Sequence, residues 1–248
     1  DLNPNNTEAY YERAGAYRKI GNVDAALNDY SSAIRLVPQH AMAYGSRGEL
    51  YAALGLYDEA ISDLNTAIQL DSSLSVNFRN RGGAHGALGQ IDFAIEDFTQ
   101  AIKRDGSDSK AFYNRASAFF ALTEYQKAIN DLGKTIDLDP KDTNAYVNRG
   151  KTYFLLGEFR NALNDFDRAL RITPEDADIL HNRGVVYINL GEYERAIRDL
   201  DDILTLDSEH YLAFIDRGNA YAALENYQQA IVDYDEAIKL NPLATDAF

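Results

Sequence analysis

Two series of oppositely charged residues recur along this sequence at a fixed separation, and their side chains could form ion pairs. Arginines stand 34 residues apart, and an aspartate follows each arginine after 16 residues. The pairs are Arg13 and Asp29, Arg47 and Asp63, Arg81 and Asp97, Arg115 and Asp131, Arg149 and Asp165, Arg183 and Asp199, and Arg217 and Asp233. A guanidinium group and a carboxylate group can form two parallel hydrogen bonds with each other. We therefore expect structural ion pairs, and the alternative is an arginine row offered to an anionic ligand.

A row of carboxamides stands beside the arginines. The residue before the arginine is asparagine in four successive cases, at Asn80, Asn114, Asn148 and Asn182. A carboxamide both donates and accepts hydrogen bonds, so a row of them can bind the main chain of an extended peptide without selecting particular side chains. The alternative is that asparagine merely tolerates an exposed helix position or bonds locally.

Apolar side chains follow at neighbouring positions. We expect Tyr113, Phe120, Phe154 and Ile188 to lie on or near the same face as the asparagines and to offer apolar contacts to a bound segment. Aromatic residues at helical spacing also serve in cores, so packing between neighbouring elements is the competing interpretation.

These spacings belong to a block of 34 residues that occurs seven times without insertion or deletion. The repeats span 7–40, 41–74, 75–108, 109–142, 143–176, 177–210 and 211–244, with 1–6 as the tail of a preceding repeat and 245–248 as the start of an eighth. A fixed period of this length indicates units that bury their apolar faces only by stacking on their neighbours. We therefore expect a single array over residues 1–248.

Each repeat has the pattern of two helices joined by a short turn. In the fifth repeat, Tyr146 and Gly150 are helically spaced, Gly157 interrupts, and a second helical stripe that includes Phe166 runs to Pro174. Glycine suits the turn because it tolerates a left-handed backbone, and proline ends the second helix. The arginine falls midway along the first helix and the aspartate midway along the second, so the two can meet across an antiparallel pair.

The repeat resembles that of the tetratricopeptide repeat family. The shared features are the period, a small residue at the eighth position, an aromatic residue at the eleventh, alanine at the twentieth and proline near the end, and they recur over essentially the whole chain. The resemblance implies an all-α fold, a right-handed α-solenoid superhelix, whose concave surface is lined mainly by the first helices. The four asparagines resemble the asparagine ladder in the superhelix of O-GlcNAc transferase.

Composition and charge exclude several functions. The chain has 24 basic and 39 acidic residues and a formal charge of −15, which disfavours a nucleic-acid partner because phosphate binding needs a basic surface. No apolar stretch is long enough to span a bilayer, so membrane insertion is not expected. There is no cysteine, and the four histidines lack the spacing of a metal site or a catalytic group. We expect no enzyme activity, cofactor or metal, and the compartment stays open with the cytoplasm as the default.

The expected function is that of a protein-interaction scaffold that binds an extended peptide or partner segment in its concave groove. The alternatives are a substrate-recruiting arm of a larger enzyme, such as a glycosyltransferase, and a self-assembling structural rod. Neither end has a polar capping helix, and a terminal repeat without a cap exposes its stacking face. We therefore also expect an excerpt of a longer array, and end-to-end self-association through the uncapped termini.

Overall fold

The computed structural model describes residues 6–241, and within them the chain forms fourteen α-helices and no strand. The helices are α1 (Thr7–Lys19), α2 (Val23–Leu36), α3 (Ala41–Ala53), α4 (Tyr57–Leu70), α5 (Ser75–Ala87), α6 (Ile91–Arg104), α7 (Ser109–Ala121), α8 (Tyr125–Leu138), α9 (Thr143–Leu155), α10 (Phe159–Ile172), α11 (Ala177–Asn189), α12 (Tyr193–Leu206), α13 (Tyr211–Ala223) and α14 (Tyr227–Leu240). Every first helix begins at the first residue of its repeat. The predicted all-α fold of paired helices is confirmed.

Local signals fix the helix ends. The side chains of Asn6, Asp108 and Asp176 each accept a hydrogen bond from the backbone N–H three residues later, which satisfies a donor that the first turn of a helix leaves unpaired. Proline acts at the other end, because it disfavours helical geometry in the residue before it. Thus α2 ends at Leu36, two residues before Pro38, and α10 ends at Ile172, two residues before Pro174. Pro242 lies outside the described residues.

The turn inside each described repeat places one residue in the left-handed region. Five of these residues are glycines with φ between 72° and 76°, at Gly21, Gly55, Gly89, Gly157 and Gly191. The other two are Thr123, with a φ of 58°, and Glu225, with a φ of 60°. The geometry is therefore imposed by the packing of the two helices, and it persists where the sequence lacks glycine.

Replacing Thr123 by glycine is expected to stabilise the protein. A left-handed conformation costs a residue with a Cβ atom roughly 1 to 2 kcal/mol, and a β-branched side chain suits it poorly. Glycine removes that cost but adds backbone entropy to the unfolded chain, so we expect a net gain of about 1 kcal/mol in the free energy of unfolding. Urea denaturation measures it. The reverse change, Gly157→Thr, should destabilise, and equal stability of both variants and the parent would contradict the argument.

The two helices of a repeat approach most closely at the eighth position. A Cβ atom on Gly150 would lie 2.9 Å from Cε1 of Phe166, and one on Gly218 would lie 2.7 Å from Cε1 of Tyr234. Such distances are shorter than real Cβ contacts, so an alanine at Gly150 or Gly218 would force the facing ring to move. At Gly184 the nearest atoms are 3.7 Å away and an added methyl group would fit. Close approach brings the arginine of the first helix within reach of the aspartate on the second.

The chain divides into two compact units at α8, one ending at Lys134 and the other beginning at Thr135. In the first unit, apolar clusters lie between successive repeats, for example Ile34 with Ala43 and Tyr44. The second unit has one large cluster that includes Phe166, Leu200 and Ile203. A single continuous array over residues 1–248 stays a prediction.

Candidate functional site

The seven arginines and aspartates form bidentate pairs within their own repeats. Each arginine donates from Nε to one carboxylate oxygen and from Nη2 to the other, at 2.6–2.9 Å. The seven aspartates are buried. The two carboxylate oxygens occupy two donors of each guanidinium, and this geometry favours the structural interpretation over an arginine row offered to a ligand.

A third donor of the guanidinium reaches the preceding repeat. In five repeats Nη1 donates to the side chain 16 residues earlier, on the preceding second helix: Arg47 to Ser31, Arg81 to Asn65, Arg115 to Thr99, Arg183 to Asp167 and Arg217 to Asp201, at 2.5–3.0 Å. These arginines therefore hold three helices together. Sequence reasoning missed this link, although a polar residue at the twenty-fifth position in six of the seven repeats is a signal for it. The exception is Gly133, which has no side chain to accept a bond.

At least one aromatic ring of the same first helix lies beside each arginine, and Arg47 has a ring on either side. The guanidinium carbon of Arg47 lies 5.7 Å from the ring centre of Tyr44 and 5.8 Å from that of Tyr51, one turn to either side. The hydrogen bonds that Arg47 donates to Asp63 raise the pKa of Arg47 above its ordinary value, and those that Arg149 donates to Asp165 do the same for Arg149. These two guanidinium groups therefore stay charged throughout the physiological pH range.

Two of the predicted asparagines line the same depression in the first unit. Asn80 on α5 and Asn114 on α7 are half-buried and border an open depression of about 280 Å³. Glu49, Arg79 and Gly83 also line it. A Cβ atom on Gly83 would meet nothing within 4 Å, so the depression is wide enough there for another chain to approach the helix backbone. Donors and acceptors from adjacent first helices thus face one space.

Arg79 is held in place at the edge of this depression. Its Nη1 donates to both carboxylate oxygens of Asp108, at 2.9 and 3.0 Å, and Asp108 also caps α7. The Asp108 side chain is nearly buried. The pair leaves little uncompensated positive charge in the depression, so the groups that remain for a ligand there are mainly the neutral carboxamides and Glu49.

The other two asparagines lie in the second unit and are also half-buried. The Nδ2 of Asn182 donates to the main-chain carbonyl of Asp178 at 2.6 Å, so this side chain bonds to its own helix. A hydrogen bond within the same helix was the alternative to peptide binding for the four asparagines, and it is present at Asn182. The main-chain carbonyl of Asn148 accepts from the hydroxyl of Thr152, whose side chain is fully buried.

Adjacent first helices place the fifth position of one repeat beside the sixth position of the next. In the first unit the hydroxyl oxygens of Tyr11 and Ser46 are 3.4 Å apart. In the second unit Nε2 of His181 lies 2.7 Å from Oδ2 of Asp216. Within each unit, therefore, these side chains form a surface that continues from one first helix to the next.

The predicted apolar contacts differ in how much surface they offer. Phe120 is 39% exposed and packs against the ring of Tyr125 at a centroid distance of 5.5 Å. Phe154 and Ile188 are partly buried against the core of the second unit, and Tyr113 is half-buried in the first. Phe120 thus has the most ring surface available, whereas Phe154 and Ile188 contribute substantially to packing.

The described residues offer neither a metal-binding cluster nor a membrane-spanning helix. Among residues 6–241 there is no group of three or more histidine, aspartate and glutamate side chains that could hold a metal ion. In the same range no helix has both the length and the apolar character needed to cross a membrane.

Antiparallel helix pairs of constant length, stacked repeat on repeat within each unit, define an α-helical repeat protein. Models of the family described as TPR repeat or tetratricopeptide repeat match residues 2–74, 116–157, 150–191, 177–210 and 211–242. The chain belongs to the tetratricopeptide repeat family. Comparison with curated proteins gives no match.

Solved structures of low sequence identity share the fold. The C-terminal part of a TPR repeat-containing protein from Cytophaga hutchinsonii is 18% identical, with a TM-score of 0.81 over 95% of this chain and 96% of that one. YrrB, described as a TPR protein with an unusual peptide-binding site, is 23% identical, with a TM-score of 0.66 over 74% of this chain and 95% of that one. A chain of the APC/C hetero-tetramer Cut9-Hcn1 is 21% identical, with a TM-score of 0.67 over 89% of this chain and 44% of that one.

Proposed function

We propose that this protein is an interaction scaffold that binds an extended segment of a partner protein along the surface of its first helices. The observation that carries the proposal is the depression in the first unit, where Asn80 and Asn114 face the same space from successive first helices. Membership of the tetratricopeptide repeat family supports it, since the family is a scaffold for many partners. The described peptide-binding site of YrrB, which has the same fold, gives a precedent for the ligand class.

The chemistry of the depression suits a main chain better than a charged side chain. The carboxamides of Asn80 and Asn114 can each bond a peptide N–H and a peptide C=O, and an extended segment presents both groups at regular intervals. The open backbone at Gly83 lets such a segment lie close to α5. In the second unit Asn148 and Asn182 are further proposed contacts, and Asn182 offers its Oδ1 because its Nδ2 bonds the carbonyl of Asp178. Phe120 is the proposed apolar contact.

The charge of the chain adds a preference among partners. A formal charge of −15 repels acidic segments and accelerates encounter with basic ones at low ionic strength. Arg79 is neutralised by Asp108, so it does not offset this preference inside the depression. The proposed ligand is therefore an extended, neutral or basic segment.

Changing Asn80 and Asn114 together to alanine is expected to weaken binding about 5- to 150-fold or more, because the loss of even one hydrogen bond per side chain costs roughly 0.5 to 1.5 kcal/mol each. The probes are peptides selected from a displayed random library against the parent protein, and their dissociation constants are measured by titration calorimetry. Circular dichroism and urea denaturation check that the variant keeps its fold.

Matched controls come from exposed asparagines on second helices. Asn28→Ala on α2 and Asn130→Ala on α8 remove the same carboxamide from exposed positions outside the depression, and both should leave affinity unchanged. If the selected peptides bind the Asn80 and Asn114 double variant as tightly as the parent, recognition lies elsewhere and the proposal fails.

A further inference from the structure

The depression in the first unit has room for a side chain of the bound segment as well as for its main chain. Small residues line part of it, among them Ala52 on α3 and Gly83 on α5. Ala52 stands at the twelfth position of its repeat, where the fourth, fifth and sixth repeats have Phe120, Phe154 and Ile188. The open space of about 280 Å³ therefore exists because large side chains are absent there.

Glu49 on α3 is the charged group of this space that stays available to a ligand. It pairs with Arg18 on α1, from Oε2 to Nη1 at 2.7 Å, but both side chains are close to half exposed, and such pairs hold their partners weakly. A carboxylate accepts several hydrogen bonds, so one exposed partner does not saturate it. The other charged residue of the lining, Arg79, already has Asp108 against its guanidinium. The charge that the depression presents to a ligand is therefore negative.

The neighbouring surface suits the stem of a basic side chain. Tyr57, the first residue of α4, lines the depression together with Glu49 and is half-buried. An aromatic ring attracts a nearby cation, and lysine and arginine bury their aliphatic stems along apolar surface while the charged group keeps its polar contacts. Tyr57 and Ala52 offer such a surface in the same depression as the Glu49 carboxylate.

We propose that the depression binds one lysine or arginine side chain of the extended segment, and that Glu49 is the residue that selects it. The inference rests on the proposed function, in which the carboxamides of Asn80 and Asn114 hold the main chain of that segment. The basic group donates to the Glu49 carboxylate, and its stem packs on Ala52 and Tyr57. Glu49 thus adds selection at one position of the segment to the unspecific attraction that a formal charge of −15 exerts.

Removing the charge of Glu49 is expected to remove the preference for a basic side chain. The probes are the peptides selected against the parent protein, each also synthesised with its lysines and arginines replaced one at a time by norleucine, which keeps a stem but no charge. At one position in each peptide, the replacement should weaken binding to the parent about tenfold or more, because hydrogen bonds between charged groups are roughly twice as strong as neutral ones. The same replacement should change binding to Glu49→Gln less than about threefold, as measured by titration calorimetry.

Glu59→Gln is the matched control. Glu59 lies on α4 at an exposed position outside the depression, and its change removes the same formal charge. Long-range attraction therefore falls by a similar amount in both variants, but Glu59→Gln should keep the full loss of affinity on norleucine replacement. Glu49 is itself about half exposed, so its change should leave the fold intact, which circular dichroism checks.

Reversing the charge tests the selection directly. In Glu49→Lys, a peptide whose basic residue is replaced by glutamate should bind more tightly than the unchanged peptide, which is the opposite of the order for the parent. Glu59→Lys, the matched change outside the depression, should keep the order of the parent.

Selected peptides without lysine or arginine would overturn the proposal, as would a norleucine effect that is equally large in Glu49→Gln and in the parent. In the second case the Asn80 and Asn114 double variant separates this proposal from the proposed function. If that variant weakens binding, the segment lies in the depression and only the role of Glu49 is wrong. If it binds as tightly as the parent, the segment lies elsewhere and both proposals fail.

Discussion

Replacing Arg149 by leucine is expected to destabilise the second unit by about 3 to 5 kcal/mol, the usual result of removing one partner from a buried ion pair. Asp165 accepts from Nε and Nη2 of Arg149 at 2.8 and 2.7 Å, and its side chain is only 2% exposed. Without the arginine, its carboxylate must either stay buried with no counterion or take up a proton. Amide exchange in α9 and α10 measures the loss locally, because a repeat array need not unfold in a single two-state step.

The double variant Arg149→Leu with Asp165→Leu is expected to recover much of that loss, since no charged group is then left buried. A second cycle, with Arg183→Leu and Asp165→Leu, supplies the control. Arg183 bonds Asp199 and Asp167 rather than Asp165. The stability lost through Arg183→Leu should therefore add to the stability lost through Asp165→Leu. Additive losses in the first cycle would show that Arg149 and Asp165 are not energetically coupled.

Replacing Gly45 by alanine is expected to destabilise the first unit by up to about 2 kcal/mol, because overpacking a well-filled site costs about 1 to 3 kcal/mol and alanine favours the helix by roughly 1 kcal/mol. Asn77 stands at the third position of its repeat, where five of the other six repeats have alanine, and it is 3% exposed. Its carboxamide fills the space beside Gly45, so an added Cβ atom would clash with Oδ1 of Asn77. The two departures from the repeat pattern thus compensate for each other across α3 and α5.

Asn77→Ala is expected to reverse the effect of Gly45→Ala. The double variant restores the alanine seen in other repeats, removes the Nδ2 of Asn77, a buried atom with no hydrogen-bond partner, and replaces a helical glycine by alanine, which favours the helix by roughly 1 kcal/mol. Its free energy of unfolding should equal or exceed that of the parent in urea denaturation. If Gly45→Ala destabilises equally in the Asn77→Ala background, the clash is not the cause.

The sequence by itself determined the helix pairs and the arginine–aspartate spacing. Helix periodicity, turn glycines and prolines act within about one repeat, and once the hairpin forms, a separation of 16 residues places Arg149 opposite Asp165. These are local rules, and seven copies in register make the pattern unambiguous. The tetratricopeptide repeat family could therefore be identified from the residues.

The tertiary structure decided what depends on contacts between repeats. The bond from Arg183 to Asp167, the compensation between Gly45 and Asn77, and the shared depression of Asn80 and Asn114 each join side chains whose meeting depends on how one helix pair stacks on the next. Thr123 shows the same dependence inside a turn, because helix packing imposes a left-handed backbone that its own side chain disfavours. Asn182 bonds its own helix although its sequence context matches that of Asn80 and Asn114. A period in sequence aligns equivalent positions, but the neighbouring side chains determine which of several hydrogen bonds each position makes.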